Sequence, residues 1–333
     1  MVKLAIEFDS NYTNIYMKGS GLVLSEPTVA AVDDSSNGQV KATGTEARKM
    51  IGKTSKNTKI VFPIFEGEIV NESVAIEILK RFLQKIEANS SIFGVYALFS
   101  IPCGMGPDVI EKYKKVAKKA GISKVDFVEN PILSALGQQI SLNESSPCFV
   151  IDIAGGTTNI GAVTIDGVIA GISVSFGGNK ISTDIIDYLS EKYGLQIGLL
   201  TAEKIKNEIG SLDQMDSLSM VVNGRDINTG TPRAVSIRAM DIFNATKKYY
   251  DKVIELSNAM LKKLSPDVLA EIKNSGIYIS GVDSQMFGLK EYFEKRLEIN
   301  VNVAEHGIFT VALGGGIVLG NNDVLKRIAL KID

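Results

Sequence analysis

The sequence predicts an α/β protein built from two similar halves that close around a shared cleft. Residues 149–160 (FVIDIAGGTTNI) repeat residues 4–15 (LAIEFDSNYTNI) at a constant offset, with Asp152 on Glu7 and Gly155 on Ser10. Each copy is an apolar run, an acid, a short turn and a second apolar run, which is typical of a β-hairpin. Strand and helix signals alternate in the same order in both halves, which favours mixed sheets covered by helices.

The first half is predicted to contain three strands and then alternating helices and strands. A polar segment, 33–38, opens a small insert that runs to about Lys59. The predicted strands are residues 2–8, 14–17, 23–24, 96–101 and 125–128. The predicted helices are residues 71–87, the segment between Pro107 and Gly121, and a segment that follows Pro131.

The second half begins at Cys148 and repeats the hairpin. The predicted strands that follow it are residues 220–222, 234–237, 277–280 and 300–304. An apolar stripe that starts near Ile181 predicts a helix that stops at Gly194. Three further helices are predicted at residues 202–209, 241–263 and 288–296, and Thr201 is expected to cap the first of these three. A closing helix is expected after the glycines at 314–316, which we interpret as helix-packing residues.

Composition excludes several classes of function. The 333 residues, 45% of them hydrophobic, suffice for two ordinary domains, and the net charge of −2 gives no overall attraction to nucleic acid. The lysines within 112–119 are interpreted as a solvated helix face. Two cysteines, Cys103 and Cys148, indicate buried thiols rather than a disulfide framework. With no secretory signal and no apolar stretch of roughly 18–20 residues, we expect a soluble, cytoplasmic protein.

The single histidine, His306, argues against a Ser-His-Asp triad or a metal site made of several histidines. We interpret it as a capping or packing residue. Any hydrolysis would have to depend on carboxylates, amides, hydroxyls and a magnesium ion.

Several strings together resemble a known family. They are KGSGLVLSEPTVAAV (18–32), GTEARKMIGKT (44–54), FGGNKISTDIIDYLSEKYGLQIG (176–198), LTAEKIKNEIGS (200–211) and NGRDINTGTPRAVSI (223–237). Over nearly its full length the chain resembles the MreB group of bacterial actin homologues, within the actin, heat-shock-chaperone and sugar-kinase superfamily. The last two strings favour MreB over chaperones, kinases and the divisome actin.

The resemblance implies an actin-like ATPase fold, in which two ribonuclease-H-like halves surround a nucleotide cleft and each half carries a small insert subdomain. Domain I is expected at 1–145 plus 315–333, with its insert at about 33–60. Domain II is expected at 146–314, with its insert at about 181–240.

The resemblance also implies that the two hairpin turns grip the phosphates of ATP or ADP with backbone N–H groups, where glycine permits close approach. The second turn matches the family pattern at Asp152, Gly155, Gly156, Thr157 and Thr158. It departs from that pattern at Ala154, which replaces a glycine. Glu7 and Asp152 are expected to hold Mg²⁺ through water and to act in catalysis.

The first turn departs from the family pattern. Where the family has Asp-x-Gly-Thr, this chain has Glu7, Phe8, Asp9 and Ser10. Ser10 and Asn11 are still expected to contact the nucleotide. Asp9 adds a negative charge where the β- and γ-phosphates approach, and a like-charge pair about 4 Å apart costs about 4 kcal/mol at an effective dielectric near 20. We therefore expect weakened ATP binding unless Asp9 turns away or helps to hold the metal.

The catalytic position is also altered. The family string Glu-Glu-Pro appears here as Glu129, Asn130 and Pro131. The Asn130 amide can orient a water molecule but cannot take its proton. An equally good interpretation of Asn130 is a helix N-cap before Pro131.

The base-binding side is mixed. Glu203 and Lys206, at positions i and i+3 of one helix, match the family residues that frame adenine and ribose. Gly281 and Ser284 are expected to contact the nucleotide as well. Where the family has three glycines, however, this chain has Gly281, Val282 and Asp283.

MreB-like proteins contact the bilayer through an N-terminal helix or an apolar loop. The sequence begins directly with a strand, so no such helix is expected, but 90–94 (SSIFG) lies at the loop position. Ile92 and Phe93 could each contribute roughly 1.5–3 kcal/mol by burial in lipid. The alternative is that both residues begin a buried strand.

These observations predict an MreB-like cytoskeletal protein that forms membrane-apposed protofilaments involved in cell shape, with a degenerate ATP cleft and slow or absent hydrolysis. Its expected partners are further copies of itself, a membrane surface, and cell-shape or division proteins, with no nucleic acid. It would be cytoplasmic and peripheral at the inner face of the membrane. The alternatives are a conventional ATP-hydrolysing MreB and a non-polymerising actin-fold adaptor of a membrane-associated assembly.

Overall fold

The computed structural model describes residues 1–35, 38–88, 92–140, 142 and 146–331. Its strands are β1 (Val2–Phe8), β2 (Tyr12–Met17), β3 (Gly21–Pro27), β4 (Ala30–Asp33), β5 (Gln39–Thr43), β6 (Thr58–Val61), β7 (Ile64–Phe65), β8 (Glu68–Ile69), β9 (Val95–Ile101), β10 (Lys124–Glu129), β11 (Cys148–Ile153), β12 (Thr158–Thr164), β13 (Gly167–Val174), β14 (Leu195–Gln196), β15 (Ser219–Asp226), β16 (Pro232–Arg238), β17 (Ile277–Ser280) and β18 (Val301–Val303).

Helices cover these strands, and a short 3₁₀ turn (Gly307–Phe309) precedes the tenth helix. The helices are α1 (Gly44–Lys49), α2 (Glu72–Lys85), α3 (Pro107–Lys119), α4 (Asn130–Gly137), α5 (Gly178–Tyr193), α6 (Leu199–Ile209), α7 (Ala239–Leu261), α8 (Pro266–Ser275), α9 (Leu289–Leu297), α10 (Thr310–Gly320) and α11 (Asn322–Ile328).

Two five-stranded sheets have the same topology, which confirms the predicted duplication. Their strand orders are β10-β9-β1-β2-β3 and β13-β12-β11-β17-β18. In each sheet an antiparallel meander lies on one side of the first strand and parallel strands lie on the other. The register is duplicated too, because Glu7 pairs with Asn14 and Asp152 pairs with Asn159.

Smaller sheets lie within or next to the predicted inserts. Two of them have three strands, in the orders β5-β4-β6 and β14-β15-β16, and a third consists of β7 and β8. The domain boundaries themselves stay a prediction. Helix α10 runs without a break across the predicted boundary between 314 and 315, and residue 145 and residues 332–333 lie outside the described part.

Each large sheet has its own hydrophobic core, and a further cluster lies where α4 and α10 cross. A Cβ atom on Gly314 would lie 1.8 Å from the Leu133 carbonyl oxygen, and one on Gly137 would lie 1.8 Å from the Thr310 carbonyl oxygen. The backbones of the two helices therefore touch, which confirms the packing role predicted for the glycine triplet. Its predicted position was wrong, because the triplet lies inside α10 and does not precede the helix.

Two further details of the helix prediction were wrong. Helix α6 begins at Leu199 with Gly198 as its N-cap, so Thr201 lies within the first turn rather than at the cap. Helix α8 was not predicted at all, although Ser265 caps it and Pro266 opens it. Ile272 is its one fully buried residue, so the sequence carries almost no apolar stripe there.

In the part of the chain that the structure describes, no single helix has the length and apolar character to cross a bilayer. One pair of segments, Gly307–Gly320 with Asn322–Ile328, meets that criterion jointly but bends by 118°.

Candidate functional site

The two hairpin turns face each other where the sheets meet, and the Asp9 side chain connects them. Its Oδ2 atom accepts a hydrogen bond from the Gly155 amide at 2.8 Å and lies 3.5 Å from the Asn11 amide nitrogen. Burial raises the pKa of Asp9, while the amides of Ser10, Gly155, Asn11 and Gly156 oppose that rise. A carboxylate of the first turn thus lies among backbone N–H groups of both turns, an arrangement that binds anions.

Two more carboxyl groups lie at the strand ends beside these turns. Glu7 accepts a hydrogen bond from Asn14 Nδ2 at 2.9 Å, and Asp152 accepts one from Ser280 Oγ at 2.8 Å. Burial raises the pKa of Asp152 to about 6 and raises the pKa of Glu7 well above its ordinary value. The Asp9 charge raises both pKa values further, so adding another anion here is unfavourable unless a cation accompanies it.

Glu7 and Asp152 have the chemistry that Mg²⁺ needs, since the ion takes carboxylate oxygens and keeps several of its waters. Their raised pKa values indicate that these buried carboxyl groups lack a compensating positive charge. Among the described residues, no three His, Cys, Asp or Glu side chains are grouped closely enough to hold an ion directly. Glu7 and Asp152 alone supply two carboxyl groups, a donor set that suits an ion which keeps several of its waters.

Buried polar atoms without a hydrogen-bond partner are concentrated around the same cleft. Within the described ranges they include Ser10 Oγ, Asn14 Oδ1, Asn130 Oδ1 and Asp283 Oδ2, on side chains that are at least nine-tenths buried. Such atoms are rare in folded proteins and usually indicate a ligand, an ion or water. Ser173 Oγ and Asp216 Oδ2 also lack a partner in that part of the chain.

The Asn130 side chain lies beside Asp152, whose pKa it lowers by hydrogen bonding. The N-cap of α4 is Glu129 and Asn130 is the first helical residue, so the N-cap interpretation of Asn130 was wrong. Glu129 faces elsewhere and accepts a hydrogen bond from the Gly104 amide at 2.7 Å. Asn130 is therefore directed into the cleft, where an amide can orient a polar group.

The residues predicted to frame a nucleoside are engaged with other side chains. Lys206 forms a buried ion pair with Asp283. Glu203 forms an ion pair with Arg48 of α1, which comes from the first half of the chain. Arg48 also lies over the Tyr12 ring, 5.8 Å from its centroid. Sequence reasoning missed Arg48, because nothing in its local string indicates a contact with a residue 155 positions away.

The remaining predicted residues shape the turns. Gly281 has φ +98°, and a Cβ atom there would lie 2.1 Å from the Ile153 carbonyl oxygen, so this position requires glycine. Ser284 Oγ donates to the Gly281 carbonyl at 2.9 Å and holds that loop. Thr157 is buried, and its Oγ1 accepts a hydrogen bond from Asn159 Nδ2 at 3.4 Å.

The cleft has two very different cavities, and Val282 lines both. The cavity between α6 and the loop after β17 has a volume of about 590 Å³ and includes Lys206, Asp283 and Met286 in its lining. The cavity between the two turns has a volume of about 10 Å³ and is lined by Asp9 and Gly155 among others. The first has the size of a small-molecule pocket, whereas the second holds at most one water.

Comparison with known proteins identifies the family. The MreB/Mbl protein family model matches residues 1–327. The chain belongs to the MreB/Mbl family. It is 30% identical to the cell shape-determining protein Mbl of Bacillus cereus over 329 residues, which cover 98% of each chain. It is 30% identical to the cell shape-determining protein MreB of Escherichia coli over 321 residues, 95% of this chain and 92% of that protein.

Solved structures show that this MreB-family chain has the actin-like fold. The crystal structure of MreB5 of Spiroplasma citri bound to ADP superposes with a TM-score of 0.90 at 27% identity and covers 98% of both chains. The same protein bound to AMPPNP gives the same values. A MamK double helical filament shares the fold with a TM-score of 0.81 at 17% identity, covering 96% of this chain and 99% of that one.

The segment predicted to meet a membrane is partly described. Ile92 and Phe93 are 91% and 71% exposed and precede β9, which begins at Val95. The alternative that they begin a buried strand was therefore wrong. Ser90 and Ser91, which open the predicted loop, lie outside the described residues.

Proposed function

We propose that this MreB-family protein forms actin-like filaments in which a bound nucleotide has a structural role and is hydrolysed slowly or not at all. Its relatives of similar length are named as cell shape-determining proteins, which supports a role in cell shape. The ADP and AMPPNP complexes of MreB5 support a nucleotide cleft at the corresponding place. The observation that carries the reduced hydrolysis is the Asp9 carboxylate on the Gly155 amide.

In this proposal the turns, with Ser10, Asn11, Gly155, Gly156 and Thr157, face the phosphate side of the ligand. The Glu7 and Asp152 carboxylates would hold Mg²⁺ through water, and the ion would supply positive charge to the phosphates. The nucleoside side consists of Glu203, Lys206, Gly281 and Ser284. Asn130 orients the attacking water but cannot accept its proton, so hydrolysis lacks a general base at this position.

The proposal is tested by sedimentation and phosphate release. We expect polymer in the pellet and a low rate of phosphate release from ATP-Mg. The double variant Asp9→Gly with Asn130→Glu should release phosphate faster, because it restores the family residue at both positions. Absence of polymer under every nucleotide condition would favour the adaptor alternative. Wild-type turnover equal to that of the variant would favour a conventional ATP-hydrolysing MreB.

We further propose that the filament lies against a membrane, peripheral at its inner face, through Ile92 and Phe93. Their exposure supports this contact, and weak binding by one copy becomes firm when copies are repeated along a filament. The variant Ile92→Ser with Phe93→Ser should reduce co-sedimentation with liposomes. Phe65→Ser is the matched control, because Phe65 is 60% exposed on another segment. Equal loss in both variants would contradict a specific role for the 92–93 pair.

A further inference from the structure

The open volume in the cleft is distributed unequally between its nucleoside side and its phosphate side. About 590 Å³ is open beside Lys206 and Asp283, while about 10 Å³ is open between the two turns. Val282 lines both cavities, so they are neighbours, and the Asp9 side chain lines the smaller one. The free volume thus matches a nucleoside far better than a chain of phosphates.

The turn amides are already occupied. Asp9 Oδ2 accepts the Gly155 N–H at 2.8 Å, and the Ser10, Asn11 and Gly156 amides also stabilise its charged form. A phosphate oxygen would have to displace this carboxylate from the same donors. The Asp9 side chain therefore occupies the place on these amides that a phosphate of the ligand would take.

The carboxyl groups around the turns also disfavour a phosphate chain at this place. Glu7 and Asp152 are buried beside the turns and Asp9 is half-buried between them, so a phosphate in the turns would lie against three carboxyl groups. Lys206, the buried cation on the larger cavity, is already paired with Asp283. A phosphate chain that enters the turns therefore has to displace the Asp9 carboxylate and needs an accompanying cation.

The larger cavity retains groups that suit a nucleoside. Asn207 and Gln285 line this cavity with side-chain amides, which can both donate hydrogen bonds to and accept them from a ribose or a base. Met286 and Phe287 supply apolar surface for a base on the same wall. These contacts do not require a phosphate.

Building on the nucleotide cleft of the proposed function, we propose that this cleft binds a nucleoside or nucleoside monophosphate in preference to the corresponding triphosphate. The Asp9 carboxylate takes the place of the terminal phosphates on the turn amides. The two turns are thereby joined by a side chain of the protein, that of Asp9, and not by a phosphate of the ligand. The ligand occupies the nucleoside side of the cleft, and the Asp9 side chain occupies the phosphate side.

Calorimetric titration with adenosine, AMP, ADP-Mg and ATP-Mg tests this ligand class. For the wild-type chain we expect AMP to bind about tenfold or more tightly than ATP-Mg, because the terminal phosphates of ATP would have to displace the Asp9 carboxylate from the turn amides and AMP has no such phosphates. In Asp9→Gly the order should reverse, because both the carboxylate and its charge leave the amides. Asp9→Asn, which keeps the shape without the charge, should lie between the two.

Asp34→Asn is the matched control, because it removes one carboxylate that pairs with Lys59 at the surface, outside the cleft. It should leave the order of the four ligands unchanged. Wild-type binding of ATP-Mg as tight as that of AMP, no binding of any of the four ligands, or an Asp9→Gly variant that shifts all four equally would overturn the inference. None of these results depends on whether filaments form, so the filament proposal can fail or stand separately.

Discussion

The β1–β2 hairpin and the β11–β12 hairpin occupy equivalent places in their sheets, yet only the second presents bare backbone to the cleft. At corresponding positions Glu7 pairs with Asn14 and Asp152 pairs with Asn159. The turns differ, because Gly155 and Gly156 face Asp9 and Ser10. A Cβ atom on Gly155 would lie 2.6 Å from Asp9 Oδ2. The two turns have become complementary to each other instead of symmetrical around a ligand.

The asparagines show the same contrast in their hydrogen bonds. Asn159 Oδ1 accepts from the Cys103 amide at 3.0 Å, and its Nδ2 reaches Asp152 at 3.3 Å. Asn14 Nδ2 donates to Glu7 and to the Ile308 carbonyl, but Asn14 Oδ1 has no partner among the described residues. Both polar atoms of the Asn159 side chain therefore have partners, one of them from the first half of the chain, whereas Asn14 Oδ1 in the first hairpin remains available to accept a hydrogen bond.

The largest expected effect comes from neutralising the acid of the second hairpin by Asp152→Asn. The pKa of Asp152 is raised in the folded state from 3.8 to about 6, so the folded protein holds the proton to higher pH than the unfolded chain does. Stability is therefore highest below the unfolded pKa and is lost as the pH rises through about 6. At pH above that value the variant should gain at most about 3 kcal/mol in the free energy of unfolding, because Asn keeps only one of the two acceptor oxygens that Ser280 and Asn159 contact.

Urea unfolding across the acid-to-neutral range measures this gain without added nucleotide or Mg²⁺. The wild-type chain should lose stability as the pH rises, and Asp152→Asn should have a flatter profile. Asp34→Asn serves as the control at an exposed pair with Lys59. An Asp152→Asn variant that is less stable than the wild type at neutral pH would show that burial is not the dominant influence on this carboxyl group.

A somewhat smaller effect is expected from Gly155→Ala, which tests whether the turns fit each other. The added methyl would meet Asn11 Cβ and Asp9 Oδ2, both 2.6 Å away. Overpacking of this kind typically costs about 1–3 kcal/mol. In an Asp9→Gly background the loss should shrink, because one of the two obstructing groups is removed.

Thermal unfolding of the single and double variants measures this coupling. Gly320→Ala is the control, since a Cβ atom at Gly320 meets nothing within 4 Å and the residue does not need a positive φ. If Gly155→Ala costs the same with and without Asp9, the two turns do not constrain each other at this contact.

The sequence predicted the architecture better than it predicted the contacts across the cleft. The repeated hairpin and the family strings are local patterns, so the sheet order and most of the helices followed from them. The charge at Asp9 was also predicted to weaken phosphate binding. Its hydrogen bond to Gly155 was not, because that bond depends on how two turns 146 residues apart approach each other. Helix α8 was missed for the opposite reason, since its local apolar signal is too weak.

The smallest expected effect concerns another link between the halves, the ion pair of Arg48 with Glu203. Arg48 and Glu203 side chains are 30% and 17% exposed, and such pairs are typically worth about 0–1 kcal/mol. Burial raises the pKa of Glu203, although Arg48 and Lys206 lower it, so the pair does not fully offset the burial of this carboxyl group. Arg48→Ala should therefore lower the free energy of unfolding by about 1 kcal/mol, because it leaves the Glu203 carboxylate without this partner. Glu203→Gln should cost less, because it leaves no buried charge behind.

Comparing the two variants by urea unfolding shows whether the Arg48–Glu203 ion pair stabilises the fold or whether Arg48 only offsets the buried charge of Glu203. Lys59→Ala, which breaks the exposed pair with Asp34, is the control and should be nearly neutral. If Glu203→Gln is as damaging as Arg48→Ala, the ion pair itself holds the nucleoside side of the cleft closed. If Arg48→Ala alone is damaging, Arg48 serves to neutralise the Glu203 carboxylate, and the ion pair is not what holds the nucleoside side of the cleft closed.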